Sequence, residues 1–234
     1  LVMSESVERD LEAMKPGAPH RRVLHPLYAQ FDAGRVTRET ARAALGIAPE
    51  AEVALFFGYV RHYKGLDVLL DAWPGVRARR PVELLVAGEF YEDAAPYRAR
   101  VAAAGGPPAV RLLDHYLPDA EVETVFKAAD VVVLPYRSAT QSGVTHVAYA
   151  MGLPVITTDV GGLAETVIPG DTGLVTPPEN PAALADMVVR YFEEGLGPRL
   201  RAGVARVRRE HSWQALADAT CDLIGALKPG RGWA

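Results

Sequence analysis

The chain has 234 residues, of which 49% are hydrophobic and 23% are charged, and its mean hydropathy is +0.03. This composition is typical of a globular protein and excludes disordered, collagen-like and coiled-coil chains. The formal net charge of −4 provides no general positive field, so we expect no nucleic-acid partner and any anion site must be built locally. The sequence has no apolar run of membrane-spanning length and no signal-peptide pattern, which predicts a soluble, cytoplasmic protein.

Several classes of chemistry are excluded by missing residue patterns. Cys221 is the only cysteine, so an internal disulfide and a multi-cysteine metal site are excluded. It lies in an apolar helical pattern, which predicts a buried thiol. The histidines lack HExxH spacing and the acidic residues form no D-x-D pattern, so we expect no catalytic metal and no cofactor. P-loop, G-x-S-x-G and G-x-G-x-x-G motifs are absent as well.

The first fifty residues differ in pattern from the rest. They predict a strand at 1–4, a helix at 5–14 and a strand at 22–27, with a linker at about 26–36. The chain begins at leucine, so we expect a fragment or a processed product. It is expected to carry the end of one domain and the whole of the next.

From residue 52 onward, short apolar runs rich in β-branched residues alternate with segments of helical period. Such runs are typical of parallel strands buried on both faces, and the alternation predicts a doubly wound, Rossmann-like α/β sheet. Ligands of these sheets bind beyond the carboxyl ends of the strands, so the residues after each strand are site candidates. The predicted strands are 53–58, 82–88, 110–113, 131–135, 154–159 and 173–176, and the predicted helices are 66–78, 94–104, 119–128, 143–151, 181–194, 198–210 and 212–227.

Two cations follow the first of these strands. Arg61 and Lys64 lie between Gly58 and a helix start, where they could place a guanidinium and an ammonium against one diphosphate. Partial positive charge at the helix N-terminus would add to the attraction. A solvated basic turn is the alternative, because short Arg-x-x-Lys runs are common.

A loop of small and hydroxylated residues follows the fourth predicted strand. It leads into a helix that begins at Gly143, where Ser142 and the free N–H groups of Gly143, Val144 and Thr145 could bind an anion. A helix-capping loop is the structural alternative. The paired glycines that follow the fifth strand, at 161–162, favour a structural turn. We assign a base- or ribose-binding role to residues at the same edge, namely Gly58, Gly88, Glu89, Tyr116, Leu117 and Gln141.

Taken in order, these segments resemble the carboxyl-terminal half of GT-B glycosyltransferases of family 4, also called group 1. The resemblance covers residues 35–227 and is carried by Phe57-Gly58-Tyr59-Val60-Arg61-x-Tyr63-Lys64-Gly65, Ala87-Gly88-Glu89, Ala128-Ala129-Asp130, Ala150-x-Gly152-Leu153-Pro154-Val155 and Asp159-Val160-Gly161-Gly162-Leu163-x-Glu165. It implies a nucleotide-sugar donor-binding domain at 31–228, a remnant of an acceptor domain with its linker at 1–30, and a tail at 229–234. Arg61 and Lys64 match the family's cationic pair on the donor diphosphate and are the expected catalytic residues.

The resemblance also implies an activity. It predicts retaining transfer of a hexosyl unit from a UDP- or GDP-sugar to a glycan, a lipid or a small acceptor, without a metal. The expected partner is an amino-terminal acceptor domain, through which any membrane association would occur and without which this chain is expected to be inactive. One departure concerns two glutamates that the family often carries, because the aligned residues here are Ala139 and Val147. Alternatives are a non-catalytic nucleotide-sugar-binding module and a GT-B sugar-nucleotide epimerase.

Overall fold

The computed structural model of the chain describes residues 1–226 apart from residues 4, 24 and 140, so the predicted tail at 229–234 lies outside the described residues. The strands are β1 (Val53–Phe57), β2 (Glu83–Ala87), β3 (Val110–Leu113), β4 (Val131–Leu134), β5 (Val155–Thr158) and β6 (Gly173–Thr176). The α-helices are α1 (Glu5–Met14), α2 (Arg38–Ala44), α3 (Leu66–Arg77), α4 (Ala95–Ala103), α5 (Asp119–Ala128), α6 (Gly143–Ala150), α7 (Leu163–Thr166), α8 (Pro181–Glu193), α9 (Gly197–Glu210) and α10 (Trp213–Ala226).

The strands form one parallel sheet in the order β3-β2-β1-β4-β5-β6. This order confirms the predicted doubly wound α/β fold, and it reverses direction between β1 and β4. All strands except β3 are buried along most of their length, which explains why their apolar runs are continuous rather than alternating, whereas β3 is one of the two outermost strands and is fully buried only at Val110. The carboxyl ends of the strands lie along one edge of the sheet, which we call the carboxyl edge, and the opposite end is the amino edge.

Local sequence explains where individual helices begin and how they pack. Helix α8 begins after Asn180, whose Oδ1 accepts a hydrogen bond from the Ala183 N–H at 3.0 Å, and Pro181 takes the first helical position. Helix α3 buries Trp73 completely, and its indole Nε1 donates to the Ala109 carbonyl at 3.0 Å. A large apolar side chain with a satisfied polar atom ties this helix to the start of β3.

Two expectations for the first fifty residues differ from the structure. The predicted strands at 1–4 and 22–27 are wrong, because the described residues there form only an isolated bridge between Val2 and Arg22. So short a pairing gains too little to extend without neighbouring strands. Helix α2 was not predicted, although Thr37 caps it by accepting from the Thr40 N–H. The prediction for Cys221 is also wrong, since its thiol is exposed.

The chain divides into two compact units. One comprises Tyr28–Ala205 and contains the whole sheet, and the other comprises Leu1–Leu27 with the described residues from Arg206 onward. In the second unit, the Leu27 N–H donates to the His211 carbonyl at 3.1 Å. The end of α9 and all of α10 group with the first 27 residues, and the expected domain boundaries at residues 30 and 228 stay a prediction. Among the described residues, no helix has the length and apolar character to cross a membrane.

The amino edge of the sheet is held by one carboxylate. Asp130 accepts from the Val53 N–H at 2.9 Å, from Arg42 Nη2 at 3.1 Å and from Arg38 Nη2 at 2.7 Å. Its own carbonyl accepts from Arg201 Nη2 at 3.1 Å. The Arg42 side chain is only 1% exposed, and it also donates to the Ala128 carbonyl at the end of α5. Charges at this edge are therefore paired with each other and with helix carbonyls.

Candidate functional site

The loops that follow β1 and β4 meet at the carboxyl edge, where the strand order reverses and doubly wound sheets bind their ligands. A cavity of about 530 Å³ lies there. Most residues proposed from the sequence line it, namely Gly58, Lys64, Gly88, Glu89, Tyr116, Leu117, Gln141, Ser142, Gly143 and Val144. Arg61 and Thr145 are not among its lining residues. The fold thus brings together residues from loops that are distant in sequence, and their individual roles stay predictions.

Glycines allow these loops to approach one another. Gly65 has φ of +67°, and a Cβ there would lie 2.0 Å from the Pro135 carbonyl oxygen. Gly88 has φ of +155°, and a Cβ there would lie 2.1 Å from the Gly58 carbonyl oxygen. Any side chain at either position would collide with backbone, which cannot move away cheaply. The two glycines therefore allow the loops after β1, β2 and β4 to lie in contact with one another.

Lys64 is the cation that lines the cavity. Its side chain is 8% exposed, and Nζ lies 2.7 Å from the place that a Cβ on Gly58 would take and 5.8 Å from the centre of the Tyr136 ring. Among the described residues, no carboxylate forms an ion pair with it. Burial, with a smaller contribution from the like charge of Arg61, lowers the pKa of Lys64 to about 8. An unpaired, buried ammonium is costly by itself and is stabilised by an anion.

The start of α6 adds backbone donors to the lining of the cavity. Gly143 and Val144 are its first residues, and their N–H groups have no intrahelical acceptor. The Thr145 N–H is not free as expected, because it donates to the Ser142 carbonyl at 3.1 Å. Thr145 is fully buried and is not among the lining residues, so its role in anion binding stays a prediction. Lys64 and two backbone donors remain as the candidate anion site.

Two acidic side chains also line the cavity. Glu89 follows β2 and is half-buried, and Asp119 begins α5 and is exposed. Neither carboxylate has a hydrogen-bond or ion-pair partner among the side chains that the structure describes. Carboxylates accept hydrogen bonds, so they suit the hydroxyl or N–H groups of a ligand. The cavity lining thus combines donors from the loops after β1 and β4 with carboxylates that follow β2 and β3.

Arg61 does not take the position expected for a second cation that contacts the same anion as Lys64. Its side chain is exposed, and its guanidinium carbon lies 5.0 Å from the centre of the Tyr91 ring. Tyr91 in turn packs edge-on against Tyr59, with ring centres 4.6 Å apart. This cation–π contact holds Arg61 beside the cavity rather than within it. The expected pair of cations is close in sequence, but only Lys64 faces the cavity.

Part of the lining lay beyond what sequence patterns predict. Tyr28 and Phe31, from the expected linker, face the cavity, and a Cβ on Gly143 would lie 3.6 Å from Tyr28 Cε2. Two aromatic residues in an otherwise polar connection were the available signal, because exposed linkers rarely need them. Val147, one of the two positions at which the sequence departs from the expected resemblance, also lines the cavity and is 6% exposed. The other lining residues without an assigned role are Gln30, Phe57, Tyr59, Tyr63, Asp119, Val122 and Tyr136.

Comparison with known proteins places the chain in a family. The family model described as glycosyl transferases group 1 matches residues 51–194, a range that holds the whole sheet and most of the cavity. The chain belongs to the group 1 glycosyltransferases. The family and the sheet order together confirm the resemblance to the carboxyl-terminal half of a GT-B enzyme.

Curated relatives of this glycosyltransferase chain are named D-inositol 3-phosphate glycosyltransferases. The protein from Jonesia denitrificans is 34% identical over 191 residues, which cover 77% of this chain and 44% of the relative. The protein from Segniliparus rotundus is 34% identical over 208 residues, covering 83% of this chain and 45% of the relative. The chain therefore spans less than half the length of these relatives.

Solved structures share the fold. Sucrose-phosphate synthase from Thermosynechococcus elongatus superposes with a TM-score of 0.75 at 26% identity, covering 97% of this chain and 57% of that one. Anabaena Alr3699/HepE, solved in complex with UDP-glucose, gives a TM-score of 0.74 at 16% identity, covering 97% of this chain and 62% of that one. At 16% identity the likeness to the Anabaena protein concerns the fold alone.

Proposed function

We propose that this chain is the donor-binding half of a retaining glycosyltransferase that takes a hexosyl unit from a UDP- or GDP-sugar. The observation that carries the proposal is the charge of the cavity lining. The lining combines the buried Lys64 with the carboxylates of Glu89 and Asp119, and none of the three has an ion-pair partner among the described residues. A nucleoside diphosphate matches this pattern, since one part is anionic and another is rich in hydroxyl and N–H donors.

The diphosphate would bind between Lys64 and the first N–H groups of α6. Departure of the diphosphate from the sugar builds negative charge on its oxygens, and a fixed ammonium with helix N–H groups stabilises that charge more in the transition state than in the substrate. Arg61 lies beside this point, and rotation away from Tyr91 would bring a second cation to the leaving group. No metal and no protein nucleophile is required in this scheme.

The ribose and base would lie toward β2 and β3. Glu89 is suited to accept hydrogen bonds from ribose hydroxyls, and Tyr116 and Leu117 provide apolar surface for the base. In the resembled family a glutamate at the position of Val147 often binds the ribose. We assign that role here to Glu89, which lies in a different loop. The acceptor, a glycan, a lipid or a small molecule, would bind on an amino-terminal domain of the whole protein.

Two further observations support the proposal. Relatives with 34% identity are named glycosyltransferases, and a protein with the same fold was solved with UDP-glucose. Because the chain covers 44% of the relative from Jonesia denitrificans, we propose that it holds only part of the active site and transfers no sugar alone. The second candidate, a non-catalytic nucleotide-sugar-binding module, is favoured by the apolar Val147 in the lining.

Calorimetric titration of the chain with UDP, GDP and their hexose conjugates tests the donor assignment. We expect one of the two diphosphates to bind, and Lys64→Met to weaken that binding while Arg190→Met, at an exposed pair on α8, leaves it unchanged. Binding of neither diphosphate would reject the proposal. Sugar transfer by the full-length protein, measured with the donor found here, then separates the enzyme from the binding module.

A further inference from the structure

Arg137 joins three loops at the carboxyl edge without lining the cavity. Asp67 lies in the first turn of α3, and Arg137 Nη1 and Nη2 each donate to one of its carboxylate oxygens, both at 2.8 Å. Nη1 also donates to the His62 carbonyl at 2.8 Å, and Nε donates to Glu179 Oε1 at 3.1 Å, just before α8. The Arg137 N–H donates to the Tyr63 carbonyl at 2.7 Å. The planar guanidinium can donate to both oxygens of one carboxylate at the same time, whereas the ammonium of a lysine cannot.

These bonds hold the backbone on both sides of Lys64. His62 and Tyr63 precede it, and Asp67 follows it by three residues. The intervening Gly65 is already in contact with the loop after β4, because a Cβ there would overlap the Pro135 carbonyl. The short turn that carries Lys64 is therefore fixed at its two ends, which leaves the long side chain few directions other than the cavity.

The positive charge of Arg137 is paired with carboxylates of the protein itself. Both Asp67 and Glu179 form ion pairs with it, and its side chain is 17% exposed. Burial is the largest single influence on the pKa of Asp67 and would raise it, but the hydrogen bond and charge of Arg137 together with backbone N–H donors outweigh burial, so that pKa lies below its ordinary value. Glu179 adopts a positive φ of 53°, which is unusual for a residue with a side chain, and the contact with Arg137 helps to offset that strain. Arg137 thus acts as a structural cation beside an unpaired one.

We propose that Arg137 is the positioning residue for Lys64, keeping its ammonium buried in the cavity so that it meets an incoming anion without rearrangement. The nature of that anion, a nucleoside diphosphate, rests on the proposed function. A protein side chain that is already held in place binds a ligand more tightly, because less side-chain freedom is lost on binding. Without Arg137 the turn would loosen, and Lys64 would move toward solvent.

The first test needs no ligand. The chain contains four lysines, Lys15, Lys64, Lys127 and Lys228, so NMR with a lysine-selective label can follow Lys64 alone, assigned by its loss in Lys64→Met. In the parent we expect a pKa of about 8, and in Arg137→Ala a rise toward the ordinary 10.5, because the ammonium regains water. An Arg137→Ala variant that stays folded with an unchanged Lys64 titration would overturn the proposal.

The second test is a double-mutant cycle with UDP or GDP, whichever the parent binds. We expect Arg137→Ala to weaken binding about tenfold in the parent and less than about twofold in the Lys64→Met background, because its effect passes through Lys64. Equal losses in both backgrounds would show that Arg137 acts independently and would reject the positioning role. Arg190→Ala, an exposed arginine paired with Glu194, is the matched control in both backgrounds.

A second variant and the ligand-free titration cover the cases in which Arg137→Ala does not fold or the parent binds no nucleotide. If Arg137→Ala does not fold, Arg137→Lys replaces it in both experiments, since it keeps the charge and loses the two-pronged contact with Asp67. We then expect a smaller change in the same direction, and no change would again count against the proposal. If the parent binds no nucleoside diphosphate, the proposed function fails, while the NMR titration still decides the role of Arg137.

Discussion

The two edges of the sheet treat charge in opposite ways. At the amino edge, the Asp130 carboxylate is bonded to Arg38, Arg42 and the Val53 N–H. At the carboxyl edge, the buried Lys64 faces a cavity and has no ion-pair partner among the described residues. Both edges have polar groups taken partly out of water, but only one of them compensates those groups internally.

This difference separates charges that stabilise the fold from charges that await a ligand. Desolvation makes a buried charge unfavourable unless it is paired, so a fold that leaves Lys64 unpaired gives up stability there. Binding of an anion, as proposed, would recover this loss. The same comparison explains why Arg137, although at the carboxyl edge, belongs with the structural arginines, since both Asp67 and Glu179 form ion pairs with it.

The largest expected effect breaks the amino edge. Arg42→Met removes a buried guanidinium and leaves Asp130 and the Ala128 carbonyl with fewer partners, so we expect a loss of about 3 kcal/mol in the free energy of unfolding, measured by urea denaturation. Nucleotide affinity of the folded variant is expected to be unchanged, because the cavity lies at the other edge. Arg190→Met serves as the exposed control, and a similar loss there would remove the distinction.

Lys64→Met is expected to weaken nucleotide binding and to stabilise the fold, whereas Arg42→Met destabilises it. Loss of a charge-assisted contact weakens nucleoside diphosphate binding by about 1.5 to 3 kcal/mol, roughly 10- to 150-fold. The free energy of unfolding rises by about 1 to 2 kcal/mol, because an uncompensated buried charge is replaced by an apolar chain of similar length. Calorimetry and denaturation of the same preparation measure both. A variant that is less stable than the parent would mean that Lys64 is already paired.

The pH dependence sharpens the same comparison. Because the pKa of Lys64 is lowered to about 8, the unfolded chain binds more protons than the folded one between about pH 8 and 10.5. The contribution of Lys64 to the free energy of unfolding therefore becomes more favourable as pH rises through this window. Diphosphate affinity behaves inversely, falling by at most about tenfold per pH unit above pH 8 as the ammonium is lost. Subtracting the titration of Lys64→Met isolates this contribution, and identical pH profiles would contradict it.

The smallest expected effect concerns the acidic residues that line the cavity. Glu89→Gln is expected to weaken binding of the ribonucleotide about threefold to tenfold, because one ribose hydrogen bond to a charged acceptor becomes neutral. With the 2′-deoxy form of the same diphosphate, we expect a smaller loss. Asp119→Asn, at the neighbouring exposed carboxylate, is the matched comparison. Equal losses with both nucleotides would move the ribose away from Glu89.

Periodicity and strand-end position account for what could be predicted from the sequence. Apolar runs identified all six strands of the sheet, and the rule that ligands follow strand ends selected Lys64 and Gly143. Side-chain direction could not be predicted, because it depends on neighbours from distant loops. Arg61 therefore faces Tyr91 instead of the cavity, and Tyr28 enters the lining from a segment that has no regular pattern.

The junction at Asp130 has a consequence for how the chain folds. Its carboxylate contacts the Val53 N–H 77 residues earlier and Arg42 88 residues earlier, across the whole first half of the sheet. Closing so long a loop costs chain entropy before any contact compensates it, and parallel pairing of β1 with β4 waits for the same closure. We expect this junction to form after the folding transition state, so that loosening it speeds unfolding more than it slows folding. The amino edge would then set the lifetime of the folded state, while the speed of its formation is decided elsewhere.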